Sequence, residues 1–310
     1  MNLRDFAYLN SSLDTKDLYG SDSCIANLFL LQEKYNTQLK IHNNILLRYY
    51  NGEENRTGYG FPIPMKNGYY IEENDGKIEF LKTALDVIFS DTENNRTPAF
   101  CLITQEQKNL IDECLAKYFP DKHISWKTNR DDCDYIYLRE NLAELPGAVY
   151  HKKRNHISRF NRSYGSNWKF KSFPENDVFQ DILTVAQKWF EEKDGENNHV
   201  LQLEHQSIKY ALENAELLRL RGGVLYINEE PAGMTLASPI SDNVLDVIYE
   251  KCTEEHEKNG AYAVINQQFA KRSSSFLYMN REEDMGIEGL RKAKLSYKPT
   301  ILLEKFYGSF

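Results

Sequence analysis

The chain has 310 residues, a formal net charge of −8, and 41% hydrophobic and 13% aromatic residues. That length suits two domains of about 150 residues each; twenty tyrosines and sixteen phenylalanines exclude a disordered chain, and the acidic balance excludes a general nucleic-acid coat protein while leaving room for one local basic site. Five scattered cysteines without a CxxC pair exclude a disulfide framework and a structural zinc site, and the absence of a signal-like start or of any apolar run near about 18 residues leads us to expect a cytoplasmic protein with no integral membrane segment.

In chain order, Ser23 to Tyr35 reads as a helix, and Leu39–Ile41 and Ile45–Tyr49 as strands joined by the turn His42-Asn43-Asn44. Phe61–Pro64 reads as an extended edge, because proline cannot donate to a ladder, and Tyr69–Ile71 as a short strand. Apolar residues at Ile78, Leu81, Leu85, Ile88 and Phe89 have helical spacing. Ala99–Ile103 is a compact strand, after which Thr104 caps a helix from Gln105 to Tyr118, and Tyr135–Leu138 is a further strand. Alternating helices and strands place this half in an α/β or α+β class.

The segment Tyr150–Lys171 carries Lys152, Lys153, Arg154, Arg159, Arg162, Lys169 and Lys171 without one acid, a basic island on an acidic chain. A helix is expected over about 146–164, with Pro146 in its first turn. Val149, Ile157, Phe160 and Tyr164 then fall on one stripe, and Lys152, Asn155, Arg159 and Arg162 on another. One side docks on a core while the other offers cations to phosphate. The alternative is a solvated helix between two domains, taken here as residues 1–142 and 143–310.

Beyond it, Asn176 or Asp177 caps a helix through Glu192, and Gln206–Leu218 forms another. Gly222–Asn228 and Ala232–Pro239 make a hairpin. Val244–Tyr249, a helix Ala261–Lys271, a strand Ser275–Met279, a helix Gly286–Leu295 and a strand Ile301–Phe306 complete the chain. Two helices, hairpin, strand, helix, strand, helix, strand is the order of the GNAT acyltransferase fold. There the fourth and fifth strands splay apart, and the helix between them aims its N-terminus at a donor's phosphates.

Three strings carry a closer resemblance: YIYLRENLAELPGAVYHKKRNHISRF from Tyr135, YEKCTEEHEKNGAYAVINQQFA from Tyr249, and YMNREEDMGIEGLRKAKLSYKP from Tyr278. They resemble bacterial proteins that share a domain with the C-terminal part of phosphatidylglycerol lysyltransferase. The resemblance implies two GNAT-like folds in tandem, with mixed central sheets flanked by helices. It also implies kinship with Fem-type aminoacyl transferases, which move an amino acid from charged tRNA to an amine or hydroxyl. Phosphatidylglycerol lysyltransferases carry a large N-terminal membrane region; no such region is expected here, which argues against a lipid acceptor and for a small molecule or peptide.

GNAT enzymes place a glycine-rich loop at the donor pyrophosphate. The matching string is Glu257, Lys258, Asn259, Gly260, Ala261, Tyr262. One glycine remains, and Tyr262 is large where close backbone approach needs a small residue, so Lys251 and Lys258 are the candidate charges. Asn280 and Arg281 are expected to grip the donor, and Asp284 to cap the next helix or orient an amine. Arg291 and Lys294, with Lys152, Arg154, Asn155, Arg159 and Arg162, are candidates for one basic substrate groove. Glu250 is the candidate base, since an ammonium has no lone pair, and Tyr297 the candidate acid for the leaving group. No Ser-His-Asp order, HExxH or clustered metal ligands occur, so no metal and no tightly bound cofactor are expected. The donor co-substrate is acyl-CoA or aminoacyl-tRNA, with tRNA a possible partner. The competing expectation is a tandem fold without catalysis that binds a phosphorylated ligand or RNA.

Overall fold

A computed structural model describes residues 3–32, 36–52, 56–66, 74–91 and 99–310. In chain order the strands are β1 (Gln38–His42), β2 (Ile45–Asn51), β3 (Thr57–Tyr59), β4 (Ile63–Pro64), β5 (Ala99–Thr104), β6 (Ser125–Thr128), β7 (Asp134–Leu138), β8 (Trp168–Phe173), β9 (Arg221–Ile227), β10 (Glu230–Pro239), β11 (Val244–Cys252), β12 (Tyr278–Asn280), β13 (Ile301–Leu303) and β14 (Lys305–Ser309). The helices are α1 (Leu3–Ser12), α2 (Ile25–Leu30), α3 (Asn74–Ser90), α4 (Gln105–Tyr118), α5 (Arg139–Glu144), α6 (His151–Tyr164), α7 (Phe179–Glu192), α8 (His199–Glu213), α9 (Glu254–Glu257), α10 (Ala261–Arg272) and α11 (Glu288–Leu295). None of the described helices is long and apolar enough to cross a membrane.

The chain forms two compact units. The first comprises Met1–Lys16, Asn27–Cys133 and Leu303–Phe310, and the second Asp17–Ala26 and Asp134–Leu302. In the first, the sheet order is β1-β2-β3-β5-β14-β6, with β4 on β2. The β1–β2 turn falls at Asn43 and Asn44, both with positive φ, the backbone that a two-residue hairpin demands. Thr104 caps α4 with a full capping box: its side chain accepts from the Gln107 N–H, and Gln107 reaches back to the Thr104 N–H. Helix α3 packs on α4 over a core that includes Leu81, Leu85, Ile88 and Ile111.

In the second unit the sheet order is β13-β7-β12-β11-β10-β9-β8. Helices α5, α6 and α10 pack together, α10 lying on β8 to β11, and α7 with α8 covers β10 and β11. From α7 onward the elements run in the GNAT order expected above, preceded by β8. The molecule is thus α/β, with two mixed sheets flanked by helices in GNAT-like arrangement.

Several expectations need correction. Helix α2 runs only Ile25–Leu30, and residues 33–35 lie outside the described residues, as does the strand expected at Tyr69–Ile71. Helix α6 begins at His151, not near residue 146, because Leu145 and Gly147 take positive φ and Ala148–Tyr150 forms a short 3-10 turn. Val149 is 62% exposed, whereas Phe160 is fully buried and Ile157 and Tyr164 pack against the core. Helix α7 starts after Val178 with no side-chain cap from Asn176 or Asp177. Helix α8 starts at His199, capped by Asn198. The terminal strand expected at Ile301–Phe306 is two strands, β13 and β14, in different sheets.

Candidate active site

The second unit's sheet opens between β11 and β12. These two strands are parallel and pair only at Val244–Tyr278, Leu245–Met279 and Asp246–Asn280. Beyond Asp246, β11 continues to Cys252 paired with β10 alone, while β12 ends and Arg281 donates its N–H to the Tyr135 carbonyl. The end of β11 therefore faces a wedge, and side chains from both sides of the split meet there.

Glu250 and Arg281 close the wedge as an ion pair of 2.6 Å, with side chains 12% and 14% exposed. Above them lies Tyr297, its ring centre 5.1 Å from the Arg281 guanidinium and 3.7 Å from the Lys153 ammonium. Tyr137 closes the floor, edge-on to Tyr297 at 6.4 Å and donating its hydroxyl to the Lys294 carbonyl at 2.8 Å. Burial raises the Tyr297 phenol, Arg281 opposing and Glu250 adding to the effect, so it carries its proton at neutral pH. Burial pushes Lys153 down to about 8, with Arg281 lowering it further and Glu250 opposing. Among the described residues, Lys153 makes neither an ion pair nor a hydrogen bond; the Tyr297 face is its neighbour.

The loop after β12 fixes Arg281. Glu282 and Met285 both have positive φ, unusual for residues with side chains. Two groups hold that backbone. The buried Lys294 ammonium donates to the carbonyls of Arg281, Glu282 and Glu283. The fully buried Asp284 carboxylate accepts from the Tyr135 hydroxyl at 2.5 Å, from the Gly286 N–H at 2.9 Å and from Arg291 twice at 2.8 Å. Burial alone would raise the Asp284 carboxyl, but the Arg291, Tyr135 and Gly286 hydrogen bonds outweigh it and hold it well below the usual carboxylate range. Asp284 does not cap α11, whose N-cap is Ile287. Asn280 is likewise engaged: its amide donates to the Tyr19 carbonyl at 2.9 Å and to Asp134 at 2.8 Å, and its oxygen accepts from the Glu282 N–H.

Helix α6 occupies the place where the glycine-rich turn is expected to meet a phosphate. Gly260, at φ +96°, ends the turn before α10, and a Cβ there would lie 2.6 Å from the His156 carbonyl oxygen. The glycine thus permits close approach of α6 backbone. Tyr164 locks the contact from the helix end, its hydroxyl 2.7 Å from His256 Nδ1 and accepting from the Asn259 amide at 2.9 Å. Ala261 is buried in the first turn of α10, Tyr262 packs at the edge of the core, and Lys258 is exposed. Lys152, Asn155, Arg159 and Arg162 stand exposed on the outer face of α6, as their spacing predicts. Arg154 instead turns back and donates to the Leu145 and Gly147 carbonyls at 2.6 Å, fixing the turn into the helix.

The sequence-predicted residues therefore divide. Glu250, Arg281 and Tyr297 come together at the split. Asp284, Lys294, Asn280 and Arg154 are engaged in holding backbone, and Arg291 holds the Asp284 carboxylate. Lys251 lies apart, because successive strand residues face opposite sides; it pairs with Glu204 against the Trp189 ring, 3.6 Å from its centre, on the α7–α8 face. Lys153 is the residue that sequence reading passed over. Its signal was its place one turn before Ile157 on the apolar stripe, where a lysine must be covered.

The family model described as phosphatidylglycerol lysyltransferase, C-terminal, matches residues 14–307. A conserved protein of unknown function from Bacteroides thetaiotaomicron has a crystal structure 30% identical, with a TM-score of 0.83 over 99% of this chain and 97% of that one. An uncharacterized protein of Mycoplasmoides gallisepticum is 22% identical over 91% of this chain and 96% of its own length. The structure of L-PGS from Bacillus licheniformis is similar in fold, with a TM-score of 0.58 at 14% identity over 99% of this chain and 90% of that one.

Proposed function

Since this chain belongs to the phosphatidylglycerol lysyltransferase C-terminal family, we propose that it is an aminoacyltransferase that moves an aminoacyl group from charged tRNA to an amine or hydroxyl of a small molecule or peptide. The observation that carries the reading is the wedge beyond Asp246 and Asn280, with Glu250, Arg281, Tyr297 and Lys153 gathered in it. Arg281 is a fixed cation for the oxyanion that develops when the donor ester is attacked. Tyr297, protonated at neutral pH, supplies a proton to the departing oxygen. Glu250 holds Arg281 in place.

Between the two donors considered, the packing of α6 favours tRNA over acyl-CoA. A CoA pyrophosphate needs open backbone at the start of α10, and the His156 carbonyl already stands against Gly260. The same helix turns Lys152, Arg159 and Arg162 outward, a cationic strip for a nucleic-acid backbone on an otherwise acidic chain. Incubation with a panel of labelled aminoacyl-tRNAs and acyl-CoAs, with a cell extract as acceptor, tests the reading. Transfer from at least one charged tRNA and from no acyl-CoA is expected; transfer from acyl-CoA alone, or none at all, would overturn it.

The strip carries a separate prediction. Lys152→Glu with Arg159→Glu is expected to weaken tRNA binding at least about tenfold at low salt and to reduce the salt slope by about two. Fluorescence anisotropy across a salt series measures both. Because both side chains are exposed, stability should stay within about 0.5 kcal/mol of the unaltered protein.

A further inference from the structure

We propose that Lys153 is the catalytic base of this site, taking the proton from an amine acceptor at the wedge between β11 and β12. The inference rests on the aminoacyltransferase reading and adds a residue and an acceptor class to it. Its ground is the charge count in the cluster. Facing Lys153 are Glu250 from β11, Arg281 after β12 and Tyr297 after α11, with His156 nearby on its own helix. Glu250 and Arg281 neutralise one another at 2.6 Å. Lys153 is left as the surplus cation, held over an aromatic face without a carboxylate of its own. Losing its proton is the step that relieves the cluster, and burial and Arg281 both push its ammonium down to about 8. Glu250, the sequence candidate for this role, is already engaged by the Arg281 guanidinium at 2.6 Å.

The step balances. The acceptor's ammonium gives one proton to neutral Lys153, and its nitrogen then attacks the ester carbonyl. The carbon–nitrogen bond forms while the carbonyl electron pair moves to oxygen, beside Arg281. As the pair returns, the carbon–oxygen bond to the nucleotide breaks. The departing oxygen takes the Tyr297 proton, which the nitrogen's second proton replaces. The third proton stays on the amide, and Lys153 releases its proton to water.

Two measurements test this. Competitive labelling of the purified protein with acetic anhydride, read by mass spectrometry from pH 6 to 11, needs no substrate. Lys153 should titrate near pH 8, about two units below an ordinary lysine, and Arg281→Gln should move it upward. Transfer kinetics supply the second: Lys153→Gln and Lys153→Arg should both lose about 100-fold or more in kcat with KM nearly unchanged. An arginine cannot act as the base, so retained activity in Lys153→Arg would overturn the assignment, as would a labelling midpoint for Lys153 in the ordinary lysine range. If the unaltered protein transfers nothing while Lys153 still labels near pH 8, the aminoacyltransferase reading fails and the base role falls with it. Intact transfer with an ordinary Lys153 removes this inference alone.

Discussion

Asp284→Ala is expected to destabilise the protein by about 3–5 kcal/mol, the range for breaking a buried ion pair from one side. The carboxylate is fully buried and serves four hydrogen bonds, two of them from Arg291. Arg291 is 30% exposed, so water recovers part of the loss. The buried Tyr135 hydroxyl loses its acceptor, which adds about 1–3 kcal/mol. The pH dependence has a definite sign. The folded carboxyl is depressed, so its contribution is fully present above the unfolded value of about 3.9 and is lost as pH falls toward the folded one. Urea unfolding at pH 7 and pH 3 should therefore show the gap between unaltered protein and Asp284→Asn narrowing at the lower pH. The same substitution should reduce transfer, because the loop that Asp284 and Lys294 hold together sets the direction of Arg281.

Gly260→Val is expected to cost roughly 2–5 kcal/mol and to dislodge α6. A left-handed backbone disfavours any side chain by about 1–2 kcal/mol, most strongly a β-branched one. The Cβ would also fall 2.6 Å from a carbonyl oxygen of α6, a backbone atom that cannot rotate away, and such overpacking costs about 1–3 kcal/mol more. Thermal unfolding checks the stability change. Hydrogen exchange should show early opening over 151–164, and kcat should fall with it, because Lys153 rides on that helix. Gly147→Ala is the useful contrast: its φ is also positive, but nothing lies within 4 Å of its Cβ. It should show the backbone strain without the loss of α6.

Much of the second unit was legible because each element carried its own signal. The period-3.6 stripe of α7 and the helix expected from Ala261 stand where the residues place them, the β9–β10 turn closes at Asn228-Glu229, two residues earlier than Pro231 suggests, and β11 starts at Val244 as expected but runs on to Cys252. Strand β8 was missed because Trp168–Phe173 continues a basic segment, and its pairing partner β9 lies some fifty residues on. The candidate site was half legible. Glu250, Arg281 and Tyr297 were candidates from their positions at strand and helix ends, and their side chains lie together. The partners that decide their chemistry were not, since the Glu250–Arg281 pair spans 31 positions. Gly260 shows the limit best. Its demand for close backbone approach was readable, but whether phosphate or protein approaches is a tertiary fact, and here it is the carbonyl of His156.

The proposed function requires that the wedge in the second unit receive the aminoacyl end of a charged tRNA. A crystal structure with a stable donor analogue, an adenosine carrying an aminoacyl group through a 3′-amide, tests it most directly. The amide carbonyl is expected within about 2.6–3.2 Å of Arg281 or Tyr297, with the acceptor side open toward Lys153. An analogue bound in the first unit, or a CoA pyrophosphate seated at the start of α10 with α6 displaced, would contradict it.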